Sequence, residues 1–236
     1  NVEYGSISGT KFEDTNGDGD TEGDSGILGW TIYLYNVDPD SPDAEPFKTT
    51  TTDEDGNYTF DDLLPGTYWV VEETRSGWVN TTPVEVGLGT LTSGFEETDV
   101  DFANFEKFDI SGHKWEDLNG DGDWDEDETG YEGWTINIVG DLDGDGEFDD
   151  FSASTTTNEN GKYLFENLGP GVYRVSEDES DPDWVQTYDT SLAYYTVTGA
   201  SGVDAAGDAG DTEALNFGNV EYGSISGTKF EDTNGD

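Results

Sequence analysis

Polar and apolar residues alternate along this chain in short runs. In the segment SISGTKF, Ile7 and Lys11 fall on one side and Ser6, Ser8 and Thr10 on the other. The segment WTINIV around Ile136 and Ile138 does the same. A period of two is the mark of a strand with one face buried. Each run ends in a cluster of Gly, Asn, Asp or Pro, the residues that turns demand. The pattern predicts strands at 6–12, 30–35, 47–52, 58–60, 67–73, 83–86 and 98–105. A second set is predicted at 109–115, 134–139, 151–156, 162–165, 172–177, 193–197 and 214–220. No stretch has helical periodicity. Seven short strands per set, with frequent turns, predict an all-β chain of β-sandwich domains.

The two sets are copies. Residues 1–18, NVEYGSISGTKFEDTNGD, return unchanged at 219–236, a period of 218 (219 minus 1). A diverged copy, FANFEKFDISGHKWEDLNGDGD, starts at Phe102 and makes Asp14, Asp117 and Asp232 equivalent. The expected domains are therefore 1–106 and 107–218, with 219–236 holding the first strand and the start of the acidic loop of a next repeat. Units of this length can each build a core of their own. Asp55-Gly56 and Asn160-Gly161 mark equivalent hairpins, and Pro65-Gly66 and Pro170-Gly171 equivalent tight turns.

Charge narrows the partners. The chain has 56 Asp and Glu against eight Lys and Arg, a formal net charge of −48. Such a surface repels nucleic acid and anionic lipid. Seven Trp and 13% aromatic residues argue for packed cores rather than disorder. There is no Cys, and no apolar run long enough to insert in a membrane. An acidic repeat array without thiols is expected outside the cell, on its surface or in a secreted filament.

The order of motifs resembles the B-type repeats of Gram-positive surface adhesins, the collagen-adhesin B and serine-aspartate B families. In the first unit the resemblance rests on residues 5–14 with the acidic loop after them, on 56–60, and on Leu64-Pro65-Gly66-Thr67-Tyr68. The same stations recur at 111–117, 161–165 and 168–173. It implies a transthyretin-like, Ig-like Greek-key sandwich used as a stalk or spacer.

Three acidic loops have calcium spacing. Asp117, Asn119, Asp121, Asp123 and Glu128 stand at positions 1, 3, 5, 7 and 12 of a loop with Gly122 at position 6. Alternating oxygens, a Gly for the sharp turn and a closing carboxylate give Ca2+ the six to eight hard ligands it takes. Asp14, Asn16, Asp18 and Asp20 begin another, in which Asp24 must close the loop because Ser25 holds position 12. Asp141, Asp143, Asp145, Glu147 and Asp149 make a third. Each joins strands, not helices, so a bound ion would act as a staple. The bland alternative is that these residues only make solvated turns.

Lysine is scarce, yet Lys11, Lys114 and Lys229 are equivalent. Strand parity puts Lys11 with Ile7, and Lys114 with Ile110, on the core face. By the same parity Glu72 joins Tyr68 and Val70, Glu177 joins Tyr173 and Val175, Asn104 joins Phe102, and Asn219 joins Phe217. Each unit thus sends one Lys, one Glu and one Asn inward. Desolvation turns a lysine into a nucleophile able to attack an Asn amide, with a protonated Glu polarising the carbonyl and moving the proton. The collagen-adhesin B resemblance implies isopeptide bonds Lys11–Asn104 and Lys114–Asn219, with Glu72 and Glu177 as their catalysts. A buried salt bridge and a surface lysine are the competing readings, and serine-aspartate B relatives generally lack the bond.

The single His113 lies on an outward face, and no Ser has a credible His partner, so no hydrolytic triad is available. Beyond single-turnover crosslinking the chain is not expected to be an enzyme. The expected role is a calcium-stabilised structural segment of a surface stalk, fibre or filament, joined end to end to identical repeats or subunits. The alternative is an adhesin module that binds glycan or host protein through loops or exposed Trp.

Overall fold

The structure, a computed structural model, describes residues 1–178, 180–189, 193–207, 215–229 and 231. The first unit contains β1 (Gly5–Glu13), β2 (Ser25–Gly26), β3 (Thr31–Tyr35), β4 (Lys48–Thr51), β5 (Asn57–Leu63), β6 (Gly66–Glu72), β7 (Trp78–Asn80), β8 (Glu85–Leu91), β9 (Glu96–Glu97) and β10 (Phe102–Glu106). The second contains β11 (Phe108–Glu116), β12 (Thr135–Asp141), β13 (Phe151–Thr156), β14 (Lys162–Leu168), β15 (Val172–Glu177), β16 (Trp184–Gln186), β17 (Tyr195–Thr198), β18 (Ala205–Ala206) and β19 (Phe217–Glu221). The described residues include no helix.

Each unit is a sandwich. In the first, the order β4-β3-β6-β8 forms one sheet and β2-β1-β10-β7 the other, with β5 and β9 also on β1. In the second, β13-β12-β15-β17 faces β14-β11-β19-β16, with β18 on β11. The first strand of each unit divides its length between partners. Its first half runs antiparallel to β5 or β14, and its second half runs parallel to β10 or β19. A parallel pairing of first and last strands lets the chain enter and leave at opposite ends of the unit. The cores lie between the sheets, around Ile7, Ile32, Val70 and Phe102 in one unit and Ile110, Ile136, Val175 and Phe217 in the other.

Five strands of the structure escape the alternation pattern because of their length. β2, β7, β9, β16 and β18 are two or three residues long, too short to show alternation. The strand expected at 83–86 runs Glu85–Leu91, and that expected at 98–105 starts only at Phe102. β19 reaches Glu221, so residues 219–221, expected to open a third unit, complete the last strand of the second. Residues 223–229 belong to no strand, although they repeat the sequence of β1. β1 is held by β5, β9, β10 and β2, and among the described residues 223–229 pair with no strand and are exposed. The expected loop start at Asp232 and the start of the predicted strand at Ala214 lie outside the described residues.

Between β10 and β11 stands Lys107 alone. β10 serves both units by alternation. Asn104 is buried with the first, while Phe105 is fully buried in the core cluster of the second, its ring 6.2 Å from Phe108.

Candidate functional site: an inward Lys–Glu–Asn set and three acidic loops

Alternation along three strands delivers the polar trio. Lys11, Glu72 and Asn104 are all buried, at 0%, 2% and 1% relative exposure. Lys114, Glu177 and Asn219 are buried in the same way. β1 and β10 share a sheet with Lys11 beside Phe102 and Glu13 beside Asn104, so Lys11 and Asn104 sit on one face, two residues apart in register. β11 and β19 repeat this with Lys114 beside Phe217 and Glu116 beside Asn219. Glu72 and Glu177 come from β6 and β15 in the facing sheets. The set therefore spans the sandwich, and a surface position for the lysines is ruled out.

Lys11 Nζ lies 3.5 Å from Glu72 Oε2 and donates to the Phe12 carbonyl at 2.9 Å. Lys114 Nζ lies 3.8 Å from Glu177 Oε2 and donates to the Trp115 carbonyl at 3.1 Å. An indole covers each ammonium: Trp30 at 4.9 Å and Trp134 at 4.6 Å, ring centroid to Nζ. Equivalent tryptophans thus roof equivalent lysines and keep water out. Burial pulls each lysine from its usual range down to about 8, with the nearby Glu opposing. Burial also raises the Glu72 carboxyl, against the pull of Lys11. Both shifts favour the neutral amine and the neutral acid.

The sequence reading missed Asn80. Its Nδ2 donates to Glu72 Oε1 at 2.6 Å and to Asn104 Oδ1 at 3.4 Å, because β7 pairs with β10 so that Asn80 faces Asn104. The second unit has Gln186 there, opposite Asn219, and its amide turns instead to the Tyr188 carbonyl at 2.8 Å. The matching segments WVN and WVQ were the only signal, inside strands too short to be recognised.

The acidic loops fold alike. In each, the first Asp is buried and accepts two backbone N–H groups. Asp14 takes those of Gly17 and Gly19, Asp117 those of Gly120 and Gly122, and Asp141 those of Gly144 and Gly146. Positive φ at these glycines, from 76° to 89°, is what lets the backbone wrap the carboxylate. Closing carboxylates then fold back to the loop start. Glu128 accepts from the Leu118 N–H at 2.7 Å, and Asp24 from Thr15 at 3.2 Å (N–H) and 3.0 Å (hydroxyl). In the third loop the returning group is Asp150, which accepts from Leu142 and Asp143. Asp149, the expected ligand, and Asp150 are both exposed, and it is Asp150 that the Leu142 and Asp143 N–H groups reach. Among the described residues, one set of three carboxylates has oxygens within 4.8 Å of one another: Asp141, Asp143 and Asp150. The buried first Asp, the returning carboxylate and the hard oxygen donors fit a calcium ion. Asn16, Asp18, Asp20, Asn119, Asp121, Asp123, Asp145 and Glu147 line the exposed sides of these loops, several bound to backbone N–H groups two residues on.

Both units also match one family model, the SdrD B-like domain, over residues 5–106 and 109–218. The chain belongs to the SdrD B-like domain family. It is 36% identical over 195 residues to serine-aspartate repeat-containing protein D of Staphylococcus aureus (strain Newman), covering 76% of this chain and 14% of that protein. It is 33% identical over 184 residues to serine-aspartate repeat-containing protein F of Staphylococcus epidermidis, covering 70% of this chain and 10% of that protein. The chain thus spans a small fraction of the relatives it matches. Among solved structures it is similar to a Streptococcal ancillary pilin, at TM-score 0.38 and 14% identity, covering 93% of this chain and 62% of that one. It is also similar to the shaft pilin SpaA from Lactobacillus rhamnosus GG, at TM-score 0.33 and 14% identity, covering 96% and 100%.

Proposed function

We propose that this chain is a load-bearing segment of an extracellular surface stalk or filament, whose SdrD B-like units are locked by Lys–Asn isopeptide bonds and stapled by calcium. The observation that carries this reading is the buried Lys, Glu and Asn of each unit, joining the first strand to the last. Force applied along a tandem chain acts on these two strands, so a covalent bond between them would bear it without unfolding the sandwich.

In the reaction the neutral Lys11 amine attacks the Asn104 side-chain carbonyl carbon. Glu72, protonated, donates to the carbonyl oxygen and then carries the proton from the attacking nitrogen to the departing one. A carbon–nitrogen bond forms to Lys11, the carbon–nitrogen bond to the amide NH2 breaks, and ammonia leaves. Lys114, Glu177 and Asn219 would do the same. With a lysine held near 8, roughly a tenth of the amine is neutral at pH 7, which suffices for a reaction that need occur only once. The indole roof and the low dielectric keep the amine neutral and exclude the water that would solvate an ammonium.

Calcium, when bound, would supply positive charge to loops otherwise crowded with carboxylates. Asp14, Asp117 and Asp141 with their returning partners Asp24, Glu128 and Asp150 are the residues that would hold it. The interior placement of the tryptophans supports a structural role over adhesion by stacking. Trp30, Trp115 and Trp134 are buried, and the other four are half-buried. Trp78 and Trp184 pack edge-on against Trp30 and Trp134 at 5.3 and 5.5 Å.

The test is the intact mass of the denatured, metal-free protein. A deficit of two ammonia molecules supports the crosslinks, and an undiminished mass removes them.

A further inference from the structure

The contact between the two units contains a polar clamp centred on Ser201. Its hydroxyl accepts from the Glu106 N–H at 2.8 Å and donates to Glu13 Oε1 at 2.8 Å. Its own N–H donates to the Thr15 carbonyl at 3.1 Å, and the Gly202 N–H donates to the Glu106 carbonyl at 3.0 Å. Around the clamp, Gly17 of the first acidic loop lies against Pro170, so close that a Cβ there would stand 2.0 Å from the proline Cβ, and a Cβ at Gly169 would stand 3.6 Å from the Val79 side chain. The second unit therefore grips three parts of the first: the end of β10, the end of β1 and the acidic loop after it.

Half of this clamp recurs at the far end of the first unit. Ser93 accepts from the Glu3 N–H at 2.8 Å, and the Gly94 N–H donates to the Glu3 carbonyl at 3.0 Å. Glu3 is equivalent to Glu106 and to Glu221, and the tripeptide at 1–3 is identical to that at 219–221, which ends β19. Ser93 and Ser201 thus bind the same strand end in the same way. Their burial differs: Ser201 is 8% exposed, whereas Ser93 is an exposed residue. The same difference runs through the other joint positions. Gly17, Val79 and Pro170 are half-buried at the joint, while their equivalents Gly120, Val185 and Pro65 are exposed. What covers the first set is the adjoining unit.

We infer that the exposed set forms the two matching halves of a second joint, and that their partner is another copy of this 218-residue period, docked head to tail. Glu116, Gly120, Val185 and Glu221 at the end of one period meet Ser93, Gly94 and Pro65 at the start of the next. Ser93 then donates to Glu116 as Ser201 donates to Glu13. The apolar filling changes while the clamp is kept. Phe105 and Phe108 fill the observed joint, and their equivalents at the second are Val220 and Gly5, with Phe95 occupying the space that Gly5 leaves open. The array then propagates by one repeated joint, with the same relation between every pair of neighbouring units. This inference rests on the tandem-stalk reading but needs neither the isopeptide bonds nor calcium.

The experiment uses a chain of two consecutive periods carrying two spin labels. Because the protein has no Cys, labels at Glu54→Cys and Glu159→Cys report one site each. These residues are exposed and equivalent in the two units. One sample places both labels in one period, across the observed joint. The other labels Glu159 of the first period and Glu54 of the second, across the inferred joint. The inference expects the two distance distributions to coincide in mean and width, and Ser93→Asp in the second period, facing Glu116, to broaden only the latter. A narrow distribution across the observed joint with a broad one across the inferred joint overturns it, as does indifference to Ser93→Asp. Small-angle scattering of chains of one, two and three periods separates the stalk reading. A joint that forms while the particle fails to lengthen with added periods would sink the stalk and leave the joint standing.

Discussion

Replacing Asn104 by Ala removes the carbon that Lys11 would attack in the proposed crosslinking and leaves Lys11 facing Glu72. The crosslink that is lost would close a loop of 93 positions (104 minus 11). By the chain-entropy argument for covalent crosslinks, a loop of that length is worth about 5 kcal/mol, nearly all of it through the unfolded state. For a domain of this size about 5 kcal/mol corresponds to a fall of roughly 20–40 °C in melting temperature. Glu72→Gln should be worse. It blocks the proton transfer and also strips the buried amine of its partner at 3.5 Å, a change that costs about 3–5 kcal/mol when an ion pair is broken in a core. The order of stability is therefore wild type, then Asn104→Ala, then Glu72→Gln. The assay is calorimetry on metal-free protein, with intact mass on each variant. The second unit, with its own Lys114 and Asn219, supplies an internal reference transition. Variants that each regain one ammonia of mass yet melt with the wild type would refute the argument that the bond carries stability. A wild type with no mass deficit would refute the bond itself.

Other outcomes follow from the same geometry. In Asn104→Ala the free Lys11 has a folded value near 8 against 10.5 unfolded, so between these pH values the unfolded chain binds more protons. Stability of this variant relative to wild type should then rise from pH 8 toward 10.5, by about 3 kcal/mol in all, and be flat below pH 8; a relative stability falling over that window in denaturant titrations would contradict a desolvated amine. Chelation should lower the melting temperature, since an ion at 100 times its dissociation constant stabilises by about 2.7 kcal/mol per site. Asp141→Asn or Asp150→Asn should weaken calcium binding in calorimetric titration while Asp149→Asn should not, and equal losses in all three would contradict the placement of Asp150. Gly112→Ala should destabilise the second unit by about 3 kcal/mol, because its Cβ would lie 1.8 Å from the Leu215 carbonyl oxygen; an unchanged unfolding midpoint would show that the strands separate easily there.

Alternation and repetition determined much of this protein from sequence. The inward placement of Lys11, Glu72 and Asn104 followed from parity alone, since a strand offers a side chain only two faces. The acidic loops were legible because the residues that wrap a carboxylate are contiguous, with Gly at the positions needing positive φ. Tertiary structure decided what depends on distant segments. Asn80 reaches Glu72 only because β7 pairs with β10, and a three-residue strand carries no period to read. Asp150, not Asp149, returns to the third loop because chain direction after Phe148 is set by where β13 docks on β12. The joint was least legible of all. Ser93 and Ser201 have the same local sequence role and the same bond to a strand end, and only the presence of a neighbouring unit makes one buried and the other exposed. Local pattern dictates which way a side chain points, and the packing of remote surfaces dictates what it meets.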